Sequence, residues 1–265
     1  MRDCEAKRNM ANTELEKHRP NNEEELPVVL LHGTSGQSED WSQVVERLTR
    51  HRPVIRLNYA EPVAGTDLAN APGVSDFADR VAAAAGAGGR QRFDLVGFSL
   101  GAAVATFIAA EYSEMVRSLL LVSGFSYGGD PRMRLQFDLW LHLARTDKIA
   151  LGKLLLVSGL SREFLSAFDE PTIGGIVQSF VAMSDWPLIE QNIRVDLAGV
   201  REQARKIKTP TLSITGKYDQ IVPPFYTQEL ADLIPAAKTT EIPSGQLSFL
   251  EKPVDLASAR LAFLL

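Results

Sequence analysis

Within "FDLVGFSLGAAVATF" a serine stands between two glycines at the spacing Gly97-x-Ser99-x-Gly101, after an apolar run and before a run of small residues. A strand that turns into a helix through so tight a bend pushes its serine hydroxyl out above the sheet, where it can attack a carbonyl carbon. Gly97 and Gly101 fall where a side chain would collide as the chain reverses. The turn puts Ser99 at a helix N-terminus, with the Leu100 N–H aimed at negative charge developing on a substrate oxygen. A second such donor is expected from the Thr34 N–H in "VVLLHGTSGQSEDW", where an apolar run ends in His32-Gly33 and turns into a helix. An acid, Asp219, follows Gly216 and precedes Val222-Pro223 in "LSITGKYDQIVPP". In chain order these are an oxyanion loop, a nucleophile and an acid, the parts of acyl-transfer chemistry. The plain structural role open to Asp219 is to close an Asx-turn in its loop.

The elements that must hold these residues are legible as a pattern. "VVLLHG", "PVIRLNY", "FDLVGF", "SLLLVSG", "TLSITG" and "KTTEIP" are short β-rich runs, several of them bounded by glycine. Near-continuous hydrophobicity of this kind marks strands covered on both faces of a parallel sheet. Helical patterns lie between them. In "SEDWSQVVERL", Trp41, Val44, Val45 and Leu48 follow the i, i+3, i+4, i+7 spacing, with Ser38 as the expected N-cap. "SDFADRVAAAAG" and "LGAAVATFIAAEY" are further helices. Strands alternating with helices imply right-handed crossovers and an α/β fold with a mostly parallel, doubly wound sheet.

The alternation breaks after about Ser126 and resumes near Pro210. "RLQFDLWLHLAR", "IALGKLLLV", "SREFLSAF" and "IGGIVQSFVAM" read as short helices rich in large apolar side chains, a helical insertion over about 127–208. Most of those side chains serve a core; some are expected to line a ligand pocket. Gly174-Gly175 and Asp185-Trp186-Pro187 mark breaks between its helices.

Length and composition set bounds on these motifs. With 265 residues, 45% apolar and 23% charged, the chain suits one globular domain over 27–265 with that insertion. A net charge of −5 offers no basic footprint for nucleic acid and no attraction to an anionic membrane, so a small or neutral partner is expected. The single cysteine, Cys4, permits no internal disulfide, and the four histidines, His18, His32, His51 and His142, lack metal-ligand spacing. Residues 1–26 are charged, rich in Asn and Glu, and read as a solvated, disordered tail. No signal-peptide or membrane-spanning run is visible, which predicts a soluble cytoplasmic protein.

With "LLHGTSG", "VGFSLGA", "TGKYDQIVP" and "SGQLSFLEKP" in this order, the chain resembles the α/β-hydrolase superfamily, specifically its small capped esterase, lactonase and thioesterase-like members. The likeness runs from about Pro27 to the C-terminus. It implies Ser99 as nucleophile, Asp219 as triad acid, Thr34 and Leu100 as oxyanion donors, and His32, Gly33, Gly97 and Gly101 as structural residues of the site. It implies a pocket between insertion and sheet, with Phe98, Trp140, His142 and Trp186 as candidate lining, and no cofactor or metal. Two departures stand out. The superfamily normally has a strand hairpin before the strand carrying "HG", and here only the charged tail precedes it. The residue after "SG" in the last motif is normally the catalytic histidine, and here it is Gln246.

A carboxamide has no nitrogen basic enough to take a proton near neutral pH, although its oxygen accepts hydrogen bonds. His32 in its loop and His142 in the insertion are poor substitutes, each having a structural use. Three functions follow: a serine hydrolase acting on ester, lactone or thioester groups, impaired by Gln246; a non-hydrolytic cyclase or eliminating lyase on the same scaffold; or a ligand-binding pseudoenzyme. The expected partner is a small acyl substrate. Retention of Ser99, both glycines, the "HGT" loop and Asp219 favours the hydrolase, since a binder has no chemical need of all of them together.

Overall fold

In the computed structural model, residues 13–16, 26–60, 72–86 and 92–264 are described; Cys4, His18 and the rest of the charged N-terminal segment lie outside them. Seven strands form one sheet: β1 (Thr13–Glu16), β2 (Val28–Leu31), β3 (Val54–Leu57), β4 (Phe93–Phe98), β5 (Val116–Val122), β6 (Thr211–Gly216) and β7 (Lys238–Ile242). Their order is β1-β3-β2-β4-β5-β6-β7. All neighbours from β3 to β7 run parallel, and β1 pairs antiparallel with β3. The doubly wound α/β sheet expected from the hydrophobic runs is therefore present.

β1 corrects the reading of residues 1–26 as entirely solvated tail, because Glu16 stands opposite Val54 and Thr13 opposite Leu57. Too few apolar residues surround "TELE" to give a strand signal. What recruits such a segment is the open edge of β3, whose backbone donors and acceptors accept any extended partner.

β2 to β5 are almost wholly buried. Helices α1 (Ser42–Leu48), α2 (Val74–Gly86) and α3 (Leu100–Glu111) connect the first strands. α3 buries nearly its whole length, so its small side chains let it press close against the sheet. Before α1, a 3-10 turn over Ser38–Trp41 is capped by Gln37 rather than Ser38, with Asp40 reaching back to the cap N–H. Ser38 instead donates its own N–H to Asn58 Oδ1 at 2.8 Å.

Six helices lie between β5 and β6: α4 (Pro131–Thr146), α5 (Lys148–Gly159), α6 (Arg162–Leu165), α7 (Glu170–Met183), α8 (Trp186–Val195) and α9 (Arg201–Lys206). Asp130, Asp147, Ser161, Asp169 and Asp185 accept backbone N–H bonds at the starts of α4 to α8, which explains why each helix begins where it does. The group has its own apolar cluster around Phe125, Met133, Phe137, Trp140, Ile189 and Ile193. After β6 come α10 (Pro224–Leu233), then β7, then α11 (Ser248–Glu251) and α12 (Pro253–Leu264). No helix among the described residues is long and apolar enough to cross a membrane.

The start of β4 is fastened electrostatically. Asp94, fully buried, accepts from Arg117 Nε at 2.8 Å, Ser118 Oγ at 2.7 Å and, from α12, Arg260 Nη2 at 2.8 Å. Burial alone would raise its pKa, but Arg117, Arg260 and Ser118 together hold it below the ordinary 3.8. Burial pushes Arg260 down to about 10, still cationic at neutral pH. Replacing Asp94 by asparagine leaves these cations without their counter-charge, and is expected to cost about 3 to 5 kcal/mol by urea denaturation. Because the folded pKa is depressed, Asp94's contribution is complete above its unfolded value. It is lost only as pH falls below about 4, so the Asp94→Asn penalty should shrink in acid.

Candidate active site

The strand order reverses direction between β3 and β4 about the central β2, so the loops after β2 and β4 meet at the carboxyl edge where the sheet opens a crevice. Ser99 stands in that crevice, between β4 and α3, with φ 53° and ψ −116°. This is a strained conformation for an L-residue, and the surroundings enforce it. Ser99 N–H donates to Val122 O at 3.0 Å, and Ser99 O accepts from Ala102 N at 2.8 Å. The flanking glycines are steric requirements: a Cβ on Gly97 would stand 2.2 Å from Gly101 O, and one on Gly101 2.5 Å from His32 O. The Leu100 N–H belongs to the first helical turn, where α3 has no carbonyl of its own to satisfy it.

The loop after β2 is drawn equally close. A Cβ on Gly33 would lie 2.9 Å from the Phe98 ring and 3.3 Å from Ser99 Cβ. His32 is tied into its own loop: its Nδ1 lies 2.8 Å from Gly33 O, its ring stacks on Tyr59 at 4.5 Å, and its carbonyl accepts from the Tyr59 hydroxyl at 2.7 Å. Burial lowers its pKa to about 4, so the imidazole is neutral at physiological pH. Thr34 is held from α8. Its hydroxyl donates to Asp196 Oδ2 at 2.5 Å, and its carbonyl accepts from Asn192 Nδ2 at 3.0 Å. Burial pushes the Asp196 carboxyl up to about 8, against the lowering effect of Thr34.

Asp219 and Gln246 meet at the ends of β6 and β7. Asp219 Oδ1 accepts from Ile221 N at 2.9 Å and Val222 N at 2.8 Å, closing its own loop as the plain structural reading anticipated. The carboxylate also faces the Gln246 side chain. The amide orientation that satisfies both groups directs nitrogen to Asp219, donating to Oδ1 at 3.0 Å and more closely to Oδ2. Burial raises the Asp219 pKa to about 7, although the Val222, Ser123 and Ile221 donors and Arg132 oppose the shift. Both loops are fastened to the end of α5: Gln220 N donates to Ser158 O and Leu247 N to Gly159 O, each at 3.2 Å.

A cavity of about 60 Å³ joins these parts, bounded by the Gly33–Gly36 loop, Phe98, Ser99, Gln246 and, from the inserted helices, Trp140 and Leu155. Of the four candidate lining residues, Phe98 and Trp140 border this cavity. His142 and Trp186 do not line it. His142 is exposed on α4, one helical face away from the buried Phe137 and Trp140. Trp186 packs edge-on against Phe180 at 5.8 Å and donates its indole N–H to Val181 O. Asp40 also lines the cavity and was not singled out, because in sequence it is one of two acids opening a helix. Its outer side meets water, while its carboxyl rests on Gly36, where a Cβ would stand 1.9 Å from Oδ2. Desolvation pushes its pKa up to about 6. Asn192 and Asp196 left no sequence signal either, since only packing of α8 brings them to Thr34.

The sheet, the strained serine turn and the facing acid loop define a known class of enzyme. A family profile described as the alpha/beta hydrolase fold matches residues 27–253. The chain is 38% identical over 240 residues to a pyrrolizixenacetamide deacetylase of Xenorhabdus hominickii, covering 90% of each chain. It is 27% identical over 260 residues to a 2-hydroxy-6-oxo-6-(2'-aminophenyl)hexa-2,4-dienoic acid hydrolase of Metapseudomonas resinovorans, covering 90% of this chain and 83% of the relative. Among solved structures, an enol-lactonase from Burkholderia xenovorans LB400 superposes with a TM-score of 0.81 at 20% identity, covering 96% of this chain and 95% of that one. The chain belongs to the α/β-hydrolase family and is an enzyme of the hydrolase type.

The buried carboxyls carry a pH signature. Asp196 and Asp219 hold their protons more tightly folded than unfolded, so the stability they contribute is complete below about 4 and lost as pH rises through about 7 and about 8. The urea midpoint should fall between about pH 5 and about pH 9, and Asp196→Asn, which cannot ionise, should flatten part of that fall. The two tryptophans should separate as well. Trp140→Ala should change which substrates are hydrolysed, whereas Trp186→Ala should lower the melting temperature with selectivity unchanged; a shared phenotype would contradict this division.

Proposed function

We propose that this chain is a serine-type acyl hydrolase for small ester, lactone or thioester groups, with Gln246 in the place of the superfamily's histidine and turnover slow for that reason. The observation that carries the reading is Ser99 on its strained turn beside Gly33 and Thr34, in one cavity with Gln246. Ser99 Oγ attacks the carbonyl carbon as its proton passes to solvent water, and the Leu100 and Thr34 N–H groups hold the oxyanion. The bond to the alcohol or thiol breaks, that group leaves protonated by water, and a second water cleaves the acyl-serine to give the acid and free Ser99. Asp219 orients residue 246, as its contact with the Gln246 amide suggests. With the amide nitrogen on Asp219, the carboxamide oxygen is the group left to accept from Ser99. It positions the hydroxyl but cannot remove its proton.

The space at Ser99 favours a short acyl group. The enclosed space beside Ser99 is small, about 60 Å³, which suits a short acyl group better than a long chain. The deacetylase name of the 38%-identical relative agrees with this. The inserted helices, α4 to α9, act as the cap that sets substrate shape, since Trp140 and Leu155 come from them.

Gln246→His should raise hydrolysis of p-nitrophenyl acetate by about 10² to 10⁴, the worth of a positioned general base. The gain should vanish with Ser99→Ala and shrink with Asp219→Asn. It should follow a pH–rate profile rising through about 6 to 7, where an imidazole loses its proton. A folded Gln246→His protein with no Ser99-dependent gain on a panel of activated esters and thioesters would overturn the proposal. Product mass separates hydrolysis, which adds water, from cyclisation, which does not.

A further inference from the structure

The loop after β2 is tied from within at Gly33, by His32 Nδ1, but not at the side chain and carbonyl of Thr34. The two hydrogen bonds that fix those groups come from α8 and from Asp196, the residue that caps its C-terminus, 158 and 162 residues further along the chain. Asn192 takes the Thr34 carbonyl and Asp196 takes its hydroxyl, so backbone and side chain of one residue are gripped by one helix face. Asn192 and Asp196 are four apart, hence neighbours on that face. Both are buried, at 0% and 2% exposure, and neither touches the cavity at Ser99. The far end of α8 is itself anchored to the loop after β5: a Cβ on Gly128 would stand 1.8 Å from Asp196 O, and Val200 N donates to Ser126 O at 2.9 Å. The grip is therefore mounted on a fixed point of the scaffold.

The geometry points to Asn192 and Asp196 as positioning residues that aim the Thr34 N–H at the oxyanion site, making α8 part of the apparatus that stabilises the transition state. The inference rests on the oxyanion role proposed above for Thr34. Asn192 and Asp196 fix the carbonyl and side chain of Thr34, while the preceding peptide, which carries the Thr34 N–H, is held at its own carbonyl by His32 Nδ1 on Gly33 O, so the N–H is clamped from both sides and keeps one direction. A donor aimed in advance costs no reorganisation when charge develops. A polar pair buried this deeply for structure alone would be an expensive choice, since buried polar groups contribute little net stability.

Asp196 performs this task as a neutral acid. Its one side-chain hydrogen bond is to the neutral Thr34 hydroxyl, and Oδ1 is buried without a partner, so a charge here would stand uncompensated. A proton on Oδ1 removes that charge while Oδ2 keeps the Thr34 hydroxyl. The upward push of burial on this carboxyl, to about 8, agrees. Asparagine keeps a neutral side chain with an oxygen for the Thr34 hydroxyl, whereas alanine has none.

The test combines hydrogen exchange on the otherwise native chain with kinetics in the Gln246→His form. In folded Asn192→Ala and Asp196→Ala proteins, the amides of residues 33–36 should exchange about tenfold faster or more than in the parent, with β4 and β5 unchanged. In the Gln246→His background, the same substitutions should lower kcat on p-nitrophenyl acetate by about tenfold. That is short of the 10² to 10³ lost with a whole oxyanion donor, and KM should stay within about twofold. Asp196→Asn should restore both exchange protection and kcat. Should the alanine variants fold poorly, Thr34→Val removes only the hydroxyl and should show the same exchange and kcat effects. Unchanged protection at 33–36, a loss confined to KM, or an Asp196→Asn protein as impaired as Asp196→Ala would each overturn the inference. Absence of Ser99-dependent turnover in Gln246→His would refute the proposed function instead, and the exchange measurement, which needs no turnover, would still decide whether α8 holds the loop.

Discussion

The close approach of backbone to backbone at the β4–α3 turn is the constraint on which the site depends. Ser99 adopts φ 53° because the chain must reverse within one residue, and the reversal brings Gly101 O against Gly97 and Gly101 against the carbonyls of Leu31 and His32. Contact this tight is possible only where no Cβ intervenes. Its consequence reaches beyond the serine. α3 comes down onto the ends of two neighbouring strands at once, so Ser99 and the loop bearing Thr34 are set side by side by the same packing.

Electrostatics divides the sheet into two ends with opposite habits. At the start of β4, Asp94 is buried with Arg117 and Arg260 in direct hydrogen bonds and keeps its charge. At the carboxyl edge, Asp196 and Asp219 are just as buried, but their hydrogen-bond partners are neutral, and desolvation pushes both upward. The difference is one of paired cations, since burial is common to all three. A carboxyl with a raised pKa and only neutral partners suits a place where a proton is held, while a paired carboxylate suits a place where two elements must stay joined.

The inserted helices are stitched to every loop of the site. α8 grips Thr34, the end of α5 accepts from the Asp219 and Gln246 loops, and Trp140 and Leu155 close the cavity over Ser99. A close backbone contact again makes this possible, because a Cβ on Gly245 would stand 2.5 Å from Gly159 O. Insertion and sheet therefore share one site in which neither supplies a complete set of groups.

Local features of the sequence determined the parallel α/β sheet, the serine turn and the loop-closing contacts of Asp219. Each is written in short runs whose meaning is local: continuous hydrophobicity for a doubly covered strand, paired glycines for a forced reversal, a polar loop at a strand end. Tertiary structure alone decided the rest. β1 forms because β3 offers an open edge, a fact absent from "TELE" itself. Trp140 faces the cavity and Trp186 faces Phe180 although both are large aromatic residues of the inserted segment, because the crossing of helices determines which side is inward. Asn192 and Asp196 look in sequence like two polar residues of an ordinary helix. Their meaning arises from a contact more than 150 residues away along the chain, and no periodicity or propensity records a contact of that range.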